Sequence, residues 1–240
     1  VEQFIELGHV VLQGAFPQEV ANDVVHELGV ITGCDLRDPA TWQRESIWVK
    51  EAFSTPPFTD AITDRFKNAV NQLVGPDRWE PLDYMGWWPV TFPGCPAVDN
   101  WHLEGSFHHH VWSPEQALIP LFTFTDIRPG AGGTRLVERS HWEIARVLWE
   151  AEPEGLSADD SWKVIGDRLW PTSPTVIEAV AEAGDVVLVH PFVFHSSSAN
   201  AGTGPRVMAQ PRIDMTEPKR VDAPLHPVDL ATATTRPSAG

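Results

Sequence analysis

The chain has 240 residues, with 33 acidic against 17 basic side chains and a formal net charge of −16. A field of that sign repels phosphodiester backbones and anionic bilayers, so nucleic-acid and membrane partners are excluded from the expected set. At 42% hydrophobic and 21% charged the composition is that of a globular protein, while 22 prolines and 11 tryptophans point to irregular connections and broad aromatic surfaces.

The longest uninterrupted apolar runs, such as Val186–Val189, fall far short of the ~20 residues a membrane helix needs. Cys34 and Cys95 stand in unrelated contexts and form neither a metal spacing nor a disulfide framework. With no secretory signal pattern at the start, the expectation is a cytoplasmic protein.

In chain order, Val10–Leu12 reads as a strand ended by Gly14 and Pro17. Val20, Val24, Val25 and Leu28 recur at helical spacing, predicting a helix over Pro17–Leu28 stopped by Gly29 and Gly33. Ile47–Val49 reads as a strand. Ile62, Phe66, Ala69, Val70 and Leu73 form the stripe of a second helix, about Thr59–Leu73, closed by Gly75-Pro76. Beyond Trp79 come short β-rich runs: Met85–Phe92, Asn100–Leu103, Ala117–Ile127, Thr134–Val137, Thr175–Ala179, Asp185–His190 and Arg206–Ile213. Many short strands with turn signals read as a sandwich or barrel. A helical insertion interrupts them at about residues 140–170, opening on a capping-box spacing of Ser140 and Glu143 with Ile144, Val147 and Leu148 as its buried face. The segment after Met215 has no periodicity and reads as a draped or mobile tail. The expected organisation is one domain over 1–240: mixed elements in 1–80, a β core in 81–215, and a tail in 216–240.

Ten histidines carry the chemical signal. On a strand, His102 and Glu104 would share a face and present an imidazole and a carboxylate to one point. A third ligand from a distant strand would give a facial set of two nitrogens and one oxygen with three open positions. That set suits Fe(II) holding a cosubstrate and O2 together. The third ligand is open between His190 and His195, at the end of the apolar run that begins at Gly184-Asp185. Arg206 follows His195 by eleven residues, after a Gly-rich turn. On the returning strand Arg206, Met208, Gln210 and Arg212 alternate onto one face, and Val207, Ala209, Pro211 and Ile213 onto the other. A guanidinium beside an iron site is costly unless a carboxylate completes it, which a bound dicarboxylate can do bidentately.

His102-Leu103-Glu104, Gly133 through His141, Gly184-Asp185 through His195, and Arg206 together resemble the phytanoyl-CoA dioxygenase family, over roughly residues 80–215. The resemblance implies a mainly β fold with flanking helices, a double-stranded β-helix (jelly-roll, cupin-like) barrel. It implies an Fe(II)/2-oxoglutarate-dependent oxygenase that uses O2, oxidises an unactivated C–H bond of a small molecule and releases succinate and CO2. His102, Glu104 and His195 would be the iron ligands, Arg206 would hold the distal carboxylate of 2-oxoglutarate, and Ser197 would add a hydroxyl to it. The family usually has Asp where Glu104 stands. Glutamate keeps the charge and donor type, and it is not the Gly or Ala that vacates the position for halide, so halogenation is disfavoured.

The aromatic residues Trp87, Trp88, Trp101, Phe107 and Trp112 around the first ligand segment are expected to wall the substrate pocket, with Trp88, Trp112 and His108 as substrate contacts. His190 is expected in a packed or supporting place, because as a ligand it would stand sixteen residues from Arg206. His141 reads as structural, and Arg135 and Arg139 as partners of surface acids. A redox-inert cupin-type isomerase or hydrolase would keep the three ligands but have no use for Arg206 and Ser197; a non-catalytic jelly-roll binding module would need none of the five. The acidic surface and aromatic pocket suit a neutral or cationic small molecule, such as a secondary-metabolite intermediate.

Overall fold

The computed structural model describes residues 1–233 and 235. Helix α1 (Glu2–Leu7) halts at Gly8, whose φ of 86° is left-handed. A Cβ there would lie 2.5 Å from a Val193 methyl and 2.7 Å from His141 Nδ1, so glycine alone lets the chain turn into strand β1 (His9–Leu12). Helix α2 (Gln18–Thr32) runs through Gly29 and stops at Gly33, one turn later than expected. An interior glycine costs a helix only about 1 kcal/mol, which the buried face of Ala21, Val24, Val25 and Leu28 offsets. Helix α3 (Asp64–Val74) begins where Thr63 Oγ1 accepts the Phe66 N–H at 3.2 Å, and residues 59–61 form a separate short turn.

The remaining strands are β2 (Ser46–Val49), β3 (Trp88–Thr91), β4 (Ile119–Thr123), β5 (Arg135–Val137), β6 (Val176–Glu178), β7 (Val186–Val189), β8 (His195–Ser196) and β9 (Met208–Ala209). They form three antiparallel sheets, ordered β1-β7-β4-β9, β2-β3 and β6-β5-β8. Among the described residues they do not close into a barrel. Several expected strands shrink to short pieces. Arg206–Ile213 keeps ladder pairing only at Met208–Ala209, with isolated bridges of Arg206 to Thr91 and Ile213 to Leu118; Pro211 has no N–H for a ladder. Asn100–Leu103 reduces to one bridge, His102 with His195.

Alternation along the four-stranded sheet decides which side holds what. Val186, Leu188, Phe122 and Ala209 belong to the core beneath α2 and α3, with Leu28, Phe66 and Val70. Val187, Val189, Ile119, Leu121 and Met208 face the opposite way, into a second cluster with Leu136 of β5. That inter-sheet side is where the register directs Arg206 and Gln210, the neighbours of Met208 at i±2. The start of β7 is fixed by Asp185, whose carboxylate accepts the Gly14 and Glu182 N–H groups at 2.8 and 2.9 Å.

The insertion is two helices, α4 (Ser140–Ala151) and α5 (Ala158–Leu169), sharing a third cluster with Leu103, Phe192 and Phe194. The capping-box reading of Ser140 does not hold. Arg139, with φ 63°, precedes the helix, and Ser140 Oγ donates to Val137 O at 2.7 Å while accepting the Phe194 N–H at 2.9 Å. Glu143 pairs with Arg146 and Arg168 instead. The expected loose tail is partly helical: α6 (Pro227–Ala233) lies against α1, α3 and α4. Its buried Asp229 takes Arg78 Nη1 at 2.7 Å, a pairing that no hydrophobic periodicity announces.

Candidate metal and carboxylate site

The His102–His195 bridge brings two remote segments together by reciprocal backbone hydrogen bonds of 3.0 and 3.2 Å, with ring centroids 4.3 Å apart. Glu104, on the bend beyond His102, places Oε2 3.4 Å from His195 Nε2. One ligand atom from each of His102, Glu104 and His195 lies within 4.8 Å of the others. Both imidazoles are oriented from behind. His102 Nδ1 contacts Asn100 O at 2.6 Å, and His195 Nδ1 contacts Val193 O at 2.9 Å. A carbonyl only accepts, so each Nδ1 carries the proton and each Nε2 keeps its lone pair for a metal.

The electrostatics suit a cation. Burial and the neighbouring His195 hold His102 below the ordinary histidine value. Burial works against the Glu104 charge, but the adjoining His195 and His102 imidazoles and the hydrogen bond from the Gln210 amide outweigh it and keep the carboxylate below its usual range. Both residues therefore favour the protonation states that bind metal.

The other histidine of that segment is engaged within the protein. His190 is fully buried; Nδ1 accepts the Phe192 N–H at 3.1 Å and Nε2 meets Val228 O at 3.1 Å, so both nitrogens are spent inside the protein.

Arg206 is 5% exposed. Its backbone pairs with Thr91, its Nε reaches Thr91 Oγ1 at 3.3 Å and its Nη1 lies 3.6 Å from Met208 Sδ. Among the described residues no carboxylate comes within ion-pair distance of it. Burial accordingly pulls its pKa down to about 10. A guanidinium so placed has most of its donor fork unanswered by protein.

Four expected contacts lie elsewhere. Ser197 uses its hydroxyl on Val98 O and Asn100 Oδ1, at 3.3 and 3.2 Å, rather than on Arg206. Strand β8 ends at Ser196, so alternation no longer governs where Ser197 points. Trp88 is completely buried against Phe53, Phe58 and Phe124, because it begins the core-facing β3. Its neighbour Trp87, held at φ 61°, lines the cavity instead. Trp112 stacks on His110 with centroids 4.4 Å apart and donates to Glu152, while His108 is exposed and bonds Glu154 O; neither lines the cavity. Within that histidine run only His109 is buried; among the described residues its Nε2 has no hydrogen-bond partner, and burial pulls its pKa to about 4.

The cavity encloses about 660 Å3 and reaches His102 and Glu104. Trp87, Phe107, Trp162 and Gln210 line it, a size and polarity usual for small-molecule sites. Phe107 sits tight on Gly105, where a Cβ would come within 2.1 Å of the ring. Arg135 is not a surface partner alone. It donates to Ser197 O at 2.8 Å, Ser196 Oγ at 3.0 Å and Val98 O at 3.2 Å, tying together the segments on either side of the ligand bridge. No motif in the sequence marks Trp162, and Gln210 is marked only by sharing the alternating face of Arg206.

No curated protein matches the chain. Similar solved structures include HygX from Streptomyces hygroscopicus with nickel and 2-oxoglutarate bound, at TM-score 0.56 and 16% identity over 90% of this chain and 85% of that one. EctD from S. alaskensis in its apoform aligns at TM-score 0.54 and 15% identity, covering 89% of this chain and 75% of that one. The α-ketoglutarate-dependent carbocyclase SnoK from nogalamycin biosynthesis aligns at TM-score 0.53 and 15% identity, over 89% and 81% of the two chains. At such identities the likeness establishes the fold. The sequence itself matches the model of the phytanoyl-CoA dioxygenase (PhyH) family from residue 16 to residue 208, most of its length. The chain therefore belongs to the phytanoyl-CoA dioxygenase family and is a non-haem dioxygenase dependent on Fe(II) and 2-oxoglutarate.

Proposed function

We propose that the protein oxidises an unactivated C–H bond of a small molecule, by hydroxylation or by the related desaturation or ring closure, with release of succinate and CO2. In this reading His102, Glu104 and His195 hold Fe(II), and Arg206 holds the distal carboxylate of 2-oxoglutarate. The observation that carries it is the buried Arg206, which among the described residues has no carboxylate within ion-pair distance and whose Nη1 lies against Met208 of the inter-sheet cluster. A redox-inert metalloenzyme has no use for that cation, whereas a keto-diacid matches it bidentately. The donor set fits the metal as well: two Nε2 lone pairs and a carboxylate leave coordination positions free.

Bound Fe(II) with 2-oxoglutarate and O2 supplies the oxidising power for C–H cleavage. The chain supplies position and exclusion. Asn100 and Val193 carbonyls fix the imidazoles, Gln210 donates to Glu104, and the aromatic cavity beside the cluster holds the target carbon away from bulk water. Ser197, two residues past His195, braces the loop before His102 through Asn100. We read the facing four- and three-stranded sheets as the two halves of a jelly roll, and residues 1–240 as one oxygenase domain. HygX has been crystallised with hygromycin B and EctD with 5-hydroxyectoine, and the cavity volume here suits a substrate of that size class.

Anaerobic titration of the metal-free protein with Fe(II) and 2-oxoglutarate tests the reading. The expected result is a visible metal-to-ligand charge-transfer band that needs both additions, followed by succinate formation on admitting O2. A protein that binds Fe(II) but gives no band with 2-oxoglutarate would instead support the redox-inert alternative.

A further inference from the structure

Glu104 has three side-chain torsions, and the last of them is broad, so a free glutamate does not present its carboxylate in one plane. In this protein that plane is set from one side by Gln210. Its Nε2 donates a hydrogen bond to Glu104 Oε2, the oxygen that also faces His195. Gln210 is itself anchored. Its backbone N–H is shared between Gly86 O at 3.2 Å and Trp87 O at 3.1 Å. Trp87 is held in left-handed backbone at φ 61°, sparsely populated for a bulky residue, with its indole edge-on to Trp48 at 5.9 Å. Gly86 lies close against Ala52, where a Cβ would come within 3.3 Å of the Ala52 Cα. The amide that touches Glu104 thus rests on a fixed stretch of backbone rather than on a free loop.

We propose that Gln210 is the positioning residue of the metal centre. It holds Glu104 as a single-oxygen ligand and keeps the carboxylate from turning to chelate the metal with both oxygens, which would take a position the cosubstrate or O2 needs. This inference rests on the metal reading above. The histidine ligands are oriented by backbone carbonyls, which no side-chain substitution removes. The carboxylate ligand depends on a side chain, so one substitution isolates its orientation.

The test uses Gln210→Met, nearly the same length and volume without the donor, and Glu104→Asp, too short to meet the amide. Fe(II) affinity is measured by anaerobic calorimetric titration, and the charge-transfer band is recorded with saturating 2-oxoglutarate. Gln210→Met is expected to weaken Fe(II) by roughly 10–100-fold, the usual effect of losing an outer hydrogen bond to a ligand, and to shift the band. The metal-free melting temperature should stay close to wild type. The double variant should lose clearly less than the product of the two single losses, because each removes the same hydrogen bond. Wild-type Fe(II) affinity and an unshifted band in Gln210→Met would overturn the proposal, as would losses in the two variants that simply multiply. Failure of the underlying metal reading looks different: the wild-type protein itself would then show no Fe(II)-dependent band.

Discussion

Replacing Arg206 by Met separates function from stability, because the two should move in opposite directions. Burial lowers the Arg206 pKa from 12.5 to about 10. At ~1.4 kcal/mol per pH unit, that difference amounts to about 3 kcal/mol of desolvation that the ligand-free protein carries unrelieved. The substitution also gives up the contacts with Thr91 Oγ1 and Met208 Sδ, together about 1 kcal/mol. The balance is a ligand-free variant about 2 kcal/mol more stable than wild type. For a chain of this length that is a rise of ~4–8 °C in melting temperature. Calorimetric or dye-reported melting with and without 2-oxoglutarate, at constant Fe(II), reads both sides. In wild type, 2-oxoglutarate at about 100 times its Kd should add ~2.7 kcal/mol by mass action. In Arg206→Met that ligand-induced increment should vanish over the same concentration range. A variant that melts lower than wild type and still rises with 2-oxoglutarate would refute the reasoning, since Arg206 would then be a satisfied structural residue.

The two adjacent tryptophans should part company. Trp88→Ala removes a fully buried side chain and is expected to cost about 3–5 kcal/mol in denaturant unfolding, whereas Trp87→Ala should leave unfolding nearly unchanged and weaken occupancy of the cavity. Equal stability losses in both would contradict the placement of Trp87 at the cavity. Part of the acid sensitivity should trace to His141, which burial keeps neutral with a pKa of about 4, beside the like contributions of buried His109 and His190. The unfolded chain takes up this proton near pH 6.5 and the folded one only near 4, so its contribution is intact above pH 6.5 and is lost progressively as pH falls toward 4. The size is about 3 kcal/mol, and urea midpoints of wild type and His141→Leu across that window measure it; an equally steep acid loss in the variant would exclude His141 as the source.

Local signals in this sequence mark elements and residue types. The Val24–Leu28 and Phe66–Leu73 stripes lie on α2 and α3, since a buried helix face imposes its period on the chain directly. The alternation of Arg206, Met208 and Gln210 identifies one strand face before any partner strand is known, because successive side chains on extended backbone point to opposite sides. Residue type and spacing likewise mark His102 and Glu104, one of His190 and His195, and Arg206 as residues with metal and carboxylate chemistry to offer, and the family resemblance implies His195 of the two.

Tertiary structure alone decides what those residues meet. His190 and His195 lie on one short stretch with similar neighbours; the Phe192 N–H takes His190 Nδ1, and only the arrival of Val228 from α6 takes up Nε2 as well. Trp87 and Trp88 are consecutive and chemically identical, yet a left-handed backbone at the first sends one indole to the cavity and the other to the core. Ser197 leaves the face expected of it because β8 ends a residue earlier, and Ser140 serves Val137 and Phe194 rather than its own helix. Each of these outcomes depends on a hydrogen bond or a contact between segments far apart in the chain, and periodicity within a segment carries no information about such partners.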